Sequence, residues 1–232
     1  MFVMQDVTKV YRVGEQDFTA LHGISLEIEN GAFLSFVGPS GSGKTTILNI
    51  LGGLDRPTSG EVRFQGKALG SMSREELAAF RRDHVGFIFQ SYNLLPVYDV
   101  YENVLFPLLL MGKSENDVSK KVRDLVDWVG LSDQIHKKPA TLSGGQCQRV
   151  AIARALVKDP EVVLADEPTA NLDAENSYHI LELMQKLNRE LGAAFVFSTH
   201  DEKVTQYVRR EIRLEDGHVK ADEVRKVGGE AA

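Results

Sequence analysis

Residues 38–46 (GPSGSGKTT) constrain this chain more than any other segment. They match G-x-x-x-x-G-K-[S/T] in full, follow the apolar run 32–37 (AFLSFV), and precede a helical pattern starting near Thr45 (TTILNILGGL). A strand that stops at a glycine-rich loop and restarts as a helix is the context this motif needs. Gly38, Gly41 and Gly43, with Pro39, Ser40 and Ser42 between them, let consecutive backbone N–H groups curl around phosphate oxygens. The helix N-terminus beginning at Thr45 and Thr46 adds positive potential there. Lys44 supplies a point charge to the outer phosphates, and the Thr45 hydroxyl suits Mg²⁺.

Two further apolar runs end in chemistry. Residues 161–165 (EVVLA) lead into Asp166 and Glu167, and 193–198 (AAFVFS) lead into Thr199 and His200. Short apolar runs separated by helical patterns read as a parallel sheet with helices on both faces. Ligands in such sheets sit at the C-terminal strand ends. An acidic pair alone is ordinarily a solvated loop. At a strand end in a chain with a phosphate loop, Asp166 is placed to hold Mg²⁺ and Glu167 to act as general base on water. A lone strand-end histidine is ordinarily a surface or core residue. Beside these two loops, His200 also reads as a phosphate sensor.

Elsewhere the pattern changes. Residues 26–28, 32–37 and 61–64 read as short antiparallel strands joined by turns at Asn30–Gly31 and 58–60, Asn-Gly being a strong hairpin pair. The first 70 residues are therefore expected to form one mixed sheet. Val118, Val122, Leu125, Val126 and Val129 share a helical face. A second helix is expected over 143–157, with Val150, Ala151, Ala155 and Leu156 inward, and a third over 178–191, with Leu181, Met184, Leu187 and Leu191 inward. The chain is expected to be one α/β domain of 232 residues. Its core would be about 1–90 and 159–220, with a helical subdomain at about 91–158 and a loose tail from about 219, taken as 221–232 at the domain level.

A chain with 43% hydrophobic and 26% charged residues has the composition of a globular protein able to bury its own core. One cysteine excludes an intramolecular disulfide framework. A net charge of −6 argues against a nucleic-acid partner. The longest strongly apolar run, 104–111, contains Pro107 and falls well short of the roughly 20 residues a bilayer span takes. No signal peptide is evident at the start. The expectation is a chain that reaches a membrane only by docking on a protein that crosses it.

Leu142, Ser143, Gly144, Gly145 and Gln146 (LSGGQ) lie between the phosphate loop and Asp166–Glu167. With the motifs above, in this order, they resemble the ATP-binding-cassette ATPases over essentially the whole chain. The resemblance implies a P-loop fold with an antiparallel β subdomain and an inserted helical subdomain, with ATP and Mg²⁺ as ligands. It implies that two copies pair head to tail, each presenting Ser143, Gly144, Gly145 and Gln146 to the other's nucleotide. By the same resemblance Tyr11 stacks on adenine, and Gln90 reaches Mg²⁺ or water and senses a membrane partner. Asp173 in Asn171-Leu172-Asp173 crosses the dimer interface, and His200 is the switch histidine.

The stretches 51–60 (LGGLDRPTSG), 81–82 (RR), 93–96 (NLLP), 102–104 (ENV) and 165–169 (ADEPT) narrow the resemblance. They are similar to the branch holding LolD (lipoprotein release), MacB (macrolide export) and FtsE (cell division); residues 107–110 (PLLL) are closer to the first two. That branch implies an integral membrane permease with few transmembrane helices. It places the chain on the cytoplasmic side of the inner membrane, with lipoprotein release or export as the work. The alternatives are a signalling module controlling cell-envelope enzymes, or the ATPase of another peptide or drug exporter. Tyr92, Leu94, Leu95, Tyr98, Val100 and Tyr101, just after Gln90, read either as a docking surface for the permease or as subdomain core. Against the family pattern, Cys147 replaces a polar residue and reads as an incidental helix position. Ala170 replaces a frequent glycine, and Ser198 replaces Val or Thr and is expected to be neutral.

Overall fold

The computed structural model describes residues 1–201 and 206–225. Its strands divide into two sheets. β1 (Phe2–Val13) and β2 (Gln16–Ile28) form a long antiparallel hairpin that turns at Gly14, φ +64°. β4 (Ser59–Phe64) pairs with the other edge of β1, and β5 (Lys67–Ala68) completes the order β2-β1-β4-β5. The second sheet has six strands in the order β10-β9-β3-β8-β7-β6. In it β3 (Phe33–Val37), β6 (Val85–Ile88), β7 (Val162–Asp166), β8 (Ala194–Thr199) and β9 (Arg210–Glu215) run parallel. β10 (His218–Val224) is antiparallel to β9.

The helices are α1 (Lys44–Leu51), α2 (Arg74–His84), α3 (Val100–Leu110), α4 (Glu115–Trp128), α5 (Gly144–Leu156) and α6 (Ala174–Leu191). They cover both faces of the six-stranded sheet. Leu34 and Phe36 of β3 and Val196 of β8 pack in one core with α1 and the antiparallel sheet. Phe33, Phe195 and Phe197 point the other way, into a core with α3, α4, α5 and α6. Strands buried on both faces have no polar face to show. That is why β3, β7 and β8 appear in the sequence as unbroken apolar runs.

The structure corrects several sequence expectations. Asn30 and Gly31 do turn the chain, with Gly31 at φ +66°, but they do not make a hairpin. β2 pairs with β1, whereas β3 enters the other sheet between β8 and β9. The physical reason is the same two-sided burial: β3 is buried at all five positions and needs a central place. The first 70 residues therefore serve two sheets rather than one. Residues 26–28 are only the end of a 13-residue strand. Ser59 and Gly60 begin β4 rather than turning before it. Gly60, at φ +81°, sits where the β1–β4 register slips, and a Cβ there would lie 2.3 Å from the Asp6 carbonyl oxygen. Residues 219–224 are not loose: they form β10, while 226–232 lie outside the described residues. Leu191 is 44% exposed at the end of α6, unlike Leu181, Met184 and Leu187.

Capping explains the helix starts that position the site. Asp99 and Glu102 form a capping box at α3, and Ser143 and Gln146 form one at α5. Buried Asn103 accepts from the Leu95 amide and donates to the Leu95, Tyr98 and Asp99 carbonyls, fixing the irregular loop before α3. Among the described residues no helix is long and apolar enough to cross a membrane.

Asn188 on α6 joins the bottom of the parallel sheet. Its amide donates to the Gly31, Ala32 and Ala193 carbonyls, and its oxygen accepts from Arg209. Replacing it with Leu strands these buried groups. Asn188→Leu is expected to lower unfolding free energy by about 2–4 kcal/mol, read from the urea midpoint at unchanged m-value.

Candidate functional site

The phosphate loop is a corner between β3 and α1, and two glycines are forced by close approach. A Cβ on Gly43, φ +100°, would lie 2.7 Å from the Ala20 carbonyl oxygen and from Leu21 Cδ2. A Cβ on Gly38 would lie 2.0 Å from the Leu214 carbonyl oxygen. The Gly217 amide in the β9–β10 turn donates to the Ser42 carbonyl at 3.2 Å, and Gly217 in turn accepts from the His22 amide. The loop is thus pressed between β2 and the turn after β9. Ser42 is buried and its Oγ makes no hydrogen bond in the described structure.

Lys44 is 6% exposed, and its Nζ donates to the Gly38 and Pro39 carbonyls at 2.7 and 2.8 Å. Burial pulls its ammonium below the ordinary lysine range, against the opposing pull of Glu167 and Asp166. A cation held this way in a loop of N–H donors is set for an anion. The Thr45 hydroxyl donates to both Asp166 carboxylate oxygens, at 3.0 and 3.1 Å. With Gln90 lining the same cleft, these residues can offer oxygen donors, which suit Mg²⁺.

β7 and β8 end side by side and bring the remaining groups to the loop. Glu167, one step past β7, has φ +48°, the left-handed region that favours glycine. Its amide is held by the Ser198 carbonyl and by Ser198 Oγ, both at 3.1 Å. Ser198 Oγ in turn donates to Asp166. Ser198 is therefore not neutral: one hydroxyl orients both acidic residues. This was missed because its role depends on strand pairing between β7 and β8. Glu167 Oε1 meets His200 Nδ1 at 2.9 Å, with the carboxylate largely buried and the imidazole 64% exposed.

These groups share one cleft of about 570 Å³, lined by Tyr11, Pro39, Ser40, Gly41, Gly43, Lys44, Thr45, Thr46, Gln90, Asp166, Glu167 and His200. Gly38 and Ser42 support the loop behind it. Phe18, the cross-strand partner of Tyr11, also lines the cleft and is 54% exposed, a contributor sequence reading missed. Its signal was available only once the hairpin register was known.

Ser143, Gly144, Gly145, Gln146 and Asp173 do not line this cleft. Ser143 Oγ accepts from the Gln146 amide, and Gln146 Oε1 accepts from the Ser143 amide, so the Gln146 side chain is spent on the cap. Ser143 and Gly144 are exposed at the start of α5. Asp173 caps α6: its carboxylate accepts from the Asn176 amide and side chain, both at 2.8 Å, which holds its carboxyl below the usual range. A Cβ on Gly145 would lie 2.9 Å from Asn176 Oδ1, so the two helix starts are packed together. Asn171 Nδ2 donates to the Gln90 carbonyl at 2.7 Å, and Arg154 on α5 donates to the Tyr92 carbonyl at 2.6 Å and to that of Asn93 at 2.5 Å. Gln90 and the two residues Tyr92 and Asn93 are thereby tied to the loop before α6 and to α5. Within that segment Val100 and Tyr101 are core, whereas Val97, Leu109 and Leu110 are exposed. Cys147 is buried rather than at the surface, donates to the Pro139 carbonyl, and burial pushes its thiol up.

A model of the ABC transporter family matches residues 21–170. The chain is 46% identical over 219 residues to "Lipoprotein-releasing system ATP-binding protein LolD" of Geobacter metallireducens, covering 94% of this chain and 97% of that protein. It is 45% identical over 221 residues to "Macrolide export ATP-binding/permease protein MacB" of Syntrophobacter fumaroxidans, spanning 94% of this chain but only 31% of that longer protein. Among solved structures it is similar to the ATP-binding cassette MJ0796 in a dimeric post-hydrolysis state bound to ADP and Pi. There the TM-score is 0.89 at 42% identity, over 99% of this chain and 100% of that one.

The glycine contacts give a direct test. Gly43→Ala is expected to abolish nucleotide binding by calorimetry. Gly41→Ala, where a Cβ meets nothing within 4 Å but φ is +81°, is expected to weaken it less.

Proposed function

The chain belongs to the ABC transporter family of ATPases, and from that premise we propose that it works as the ATP-hydrolysing subunit of a LolD- or MacB-type membrane permease. The observation that carries this reading is the division of the site. One chain gathers a phosphate loop, a metal-suited oxygen set and a Glu167–His200 pair in one cleft, while its Ser143 helix start faces solvent elsewhere. A second copy, docked head to tail, completes each cleft with Ser143, Gly144 and Gly145.

In the mechanism the loop amides and Lys44 hold the outer phosphates, and Tyr11 takes the base. Thr45, Asp166 and Gln90 would hold Mg²⁺. When bound, that ion supplies charge neutralisation on the phosphate oxygens. Glu167 takes a proton from water, its carboxylate set by the left-handed backbone and by Ser198. His200 Nδ1 orients that carboxylate, and the residue lines the same cleft as the phosphate loop. Water adds to the γ-phosphorus as its bond to the bridging oxygen of ADP breaks, and Lys44, having exchanged its loop carbonyls for phosphate oxygens, meets the charge that develops there.

Coupling runs through the segment after Gln90. The ties of Asn171 and Arg154 to it mean that a shift at Gln90 moves α5 and the region 91–158, which acts as the helical subdomain of a core at 1–90 and 159–220. The exposed apolar residues Val97, Leu109 and Leu110 lie on that subdomain and suit docking on a permease with few membrane helices. On this reading the chain works at the cytoplasmic face of the inner membrane, held there by its partner. Lipoprotein release is the work favoured by the LolD relative, which matches this chain over nearly its full length.

Glu167→Gln is expected to bind ATP, pair stably and lose hydrolysis by at least about 100-fold. Size-exclusion light scattering and phosphate release check both. Wild-type turnover in that variant contradicts the role of Glu167. Lys44→Ala is expected to lose nucleotide binding, and unchanged ATP affinity contradicts its role.

A further inference from the structure

Tyr11 lines the cleft, and its hydroxyl belongs to a set of contacts centred on Asp55, in the loop that follows α1. Its Oδ2 accepts from the Tyr11 phenol at 2.7 Å. Its Oδ1 accepts from Lys9 Nζ at 2.6 Å and from the Arg56 amide at 2.7 Å. Lys9 Nζ also donates to the Arg56 carbonyl at 2.8 Å and lies 4.7 Å from the centroid of the Tyr11 ring. Lys9 and Tyr11 are alternate residues of β1 and so share one face of the strand. The Asp55 amide donates to the Asn49 carbonyl of α1 at 3.1 Å.

We propose that Asp55 is a positioning residue for the nucleobase: anchored to the helix that follows the phosphate loop, it fixes the Tyr11 ring and its Lys9 backing, so that the cleft selects a nucleotide over a bare polyphosphate. The inference rests on the reading that Tyr11 takes the base. An exposed tyrosine on a hairpin rotates freely, and stacking on it costs that freedom. The Asp55 hydrogen bond removes one torsion before the ligand arrives, which is preorganisation. Lys9 over one face leaves the other for a flat ring, and a cation on the far face does not compete for it. Because Asp55 is hydrogen-bonded to α1, the distance from base platform to phosphate loop is set inside one rigid unit. Burial alone would raise the Asp55 carboxyl. The hydrogen bonds from Lys9, Tyr11 and the Arg56 amide instead hold it below its ordinary range, so the network keeps its charge.

The test compares ADP with inorganic pyrophosphate, both with Mg²⁺, by calorimetry on the full chain. Tyr11→Phe keeps the ring and removes the hydroxyl, which Asp55 holds and which also meets Thr46; Asp55→Ala removes the anchor alone. Each is expected to weaken ADP by about three- to tenfold, the double variant by no more than the larger single loss, and pyrophosphate by less than about twofold. ADP affinity unchanged in Tyr11→Phe, or pyrophosphate weakened as much as ADP in both variants, overturns the proposal. Tyr11→Ala separates the two levels of the claim. If it weakens ADP while Tyr11→Phe and Asp55→Ala do not, the base reading stands and Asp55 has no positioning role. If it too spares ADP, Tyr11 does not take the base and both fall.

Discussion

The corner between β3 and α1 is the constraint on which the rest depends. Backbone must pass from a buried strand into a helix while presenting its N–H groups outward, and only glycine fits where it turns. Gly38 faces the Leu214 carbonyl and Gly43 the Ala20 carbonyl at distances that exclude a Cβ. Those two carbonyls belong to β9 and β2, one from each sheet. The phosphate loop is therefore one of the points where the two sheets meet, held by a strand from each. The acidic pair and the histidine then arrive without long loops, because β8 runs parallel beside β3, β7 runs parallel beside β8, and all three end at the same edge.

The same site contains local strain in a useful place. Glu167 occupies a left-handed conformation that a β-strand cannot continue, which aims its carboxylate into the cleft instead of along β7. Ser198 and His200, one strand over, hold that geometry from the amide end and the carboxylate end. The geometry proposed for catalysis is a product of strand pairing as much as of the residues themselves.

The sequence made the chemistry legible before the architecture. The phosphate loop, Asp166–Glu167 and Ser143–Gly145 lie in short contiguous motifs, and β3, β7 and β8 announce themselves as apolar runs. What escaped was everything set by long-range pairing. β1 and β2 carry polar residues along one edge and register slips, so their hairpin has no clean alternation to read. Asn30–Gly31 carried a strong local hairpin signal that lost to the burial demand of β3. Asp55 and Ser198 sit far in sequence from the residues they hold, and Phe18 reaches the cleft only through the hairpin register. β10 is polar at most positions because it is an edge strand, which made it look like tail.

The account's central claim is that two chains share each nucleotide. Cross-linking measures it most directly. In a background of Cys147→Ala and Glu167→Gln, one chain carries both Ser40→Cys and Ser143→Cys. With ATP, oxidation is expected to give covalent dimers and no intrachain disulfide, and without ATP little of either. Intrachain disulfides in a monomer, or the absence of ATP-dependent dimers, would contradict it.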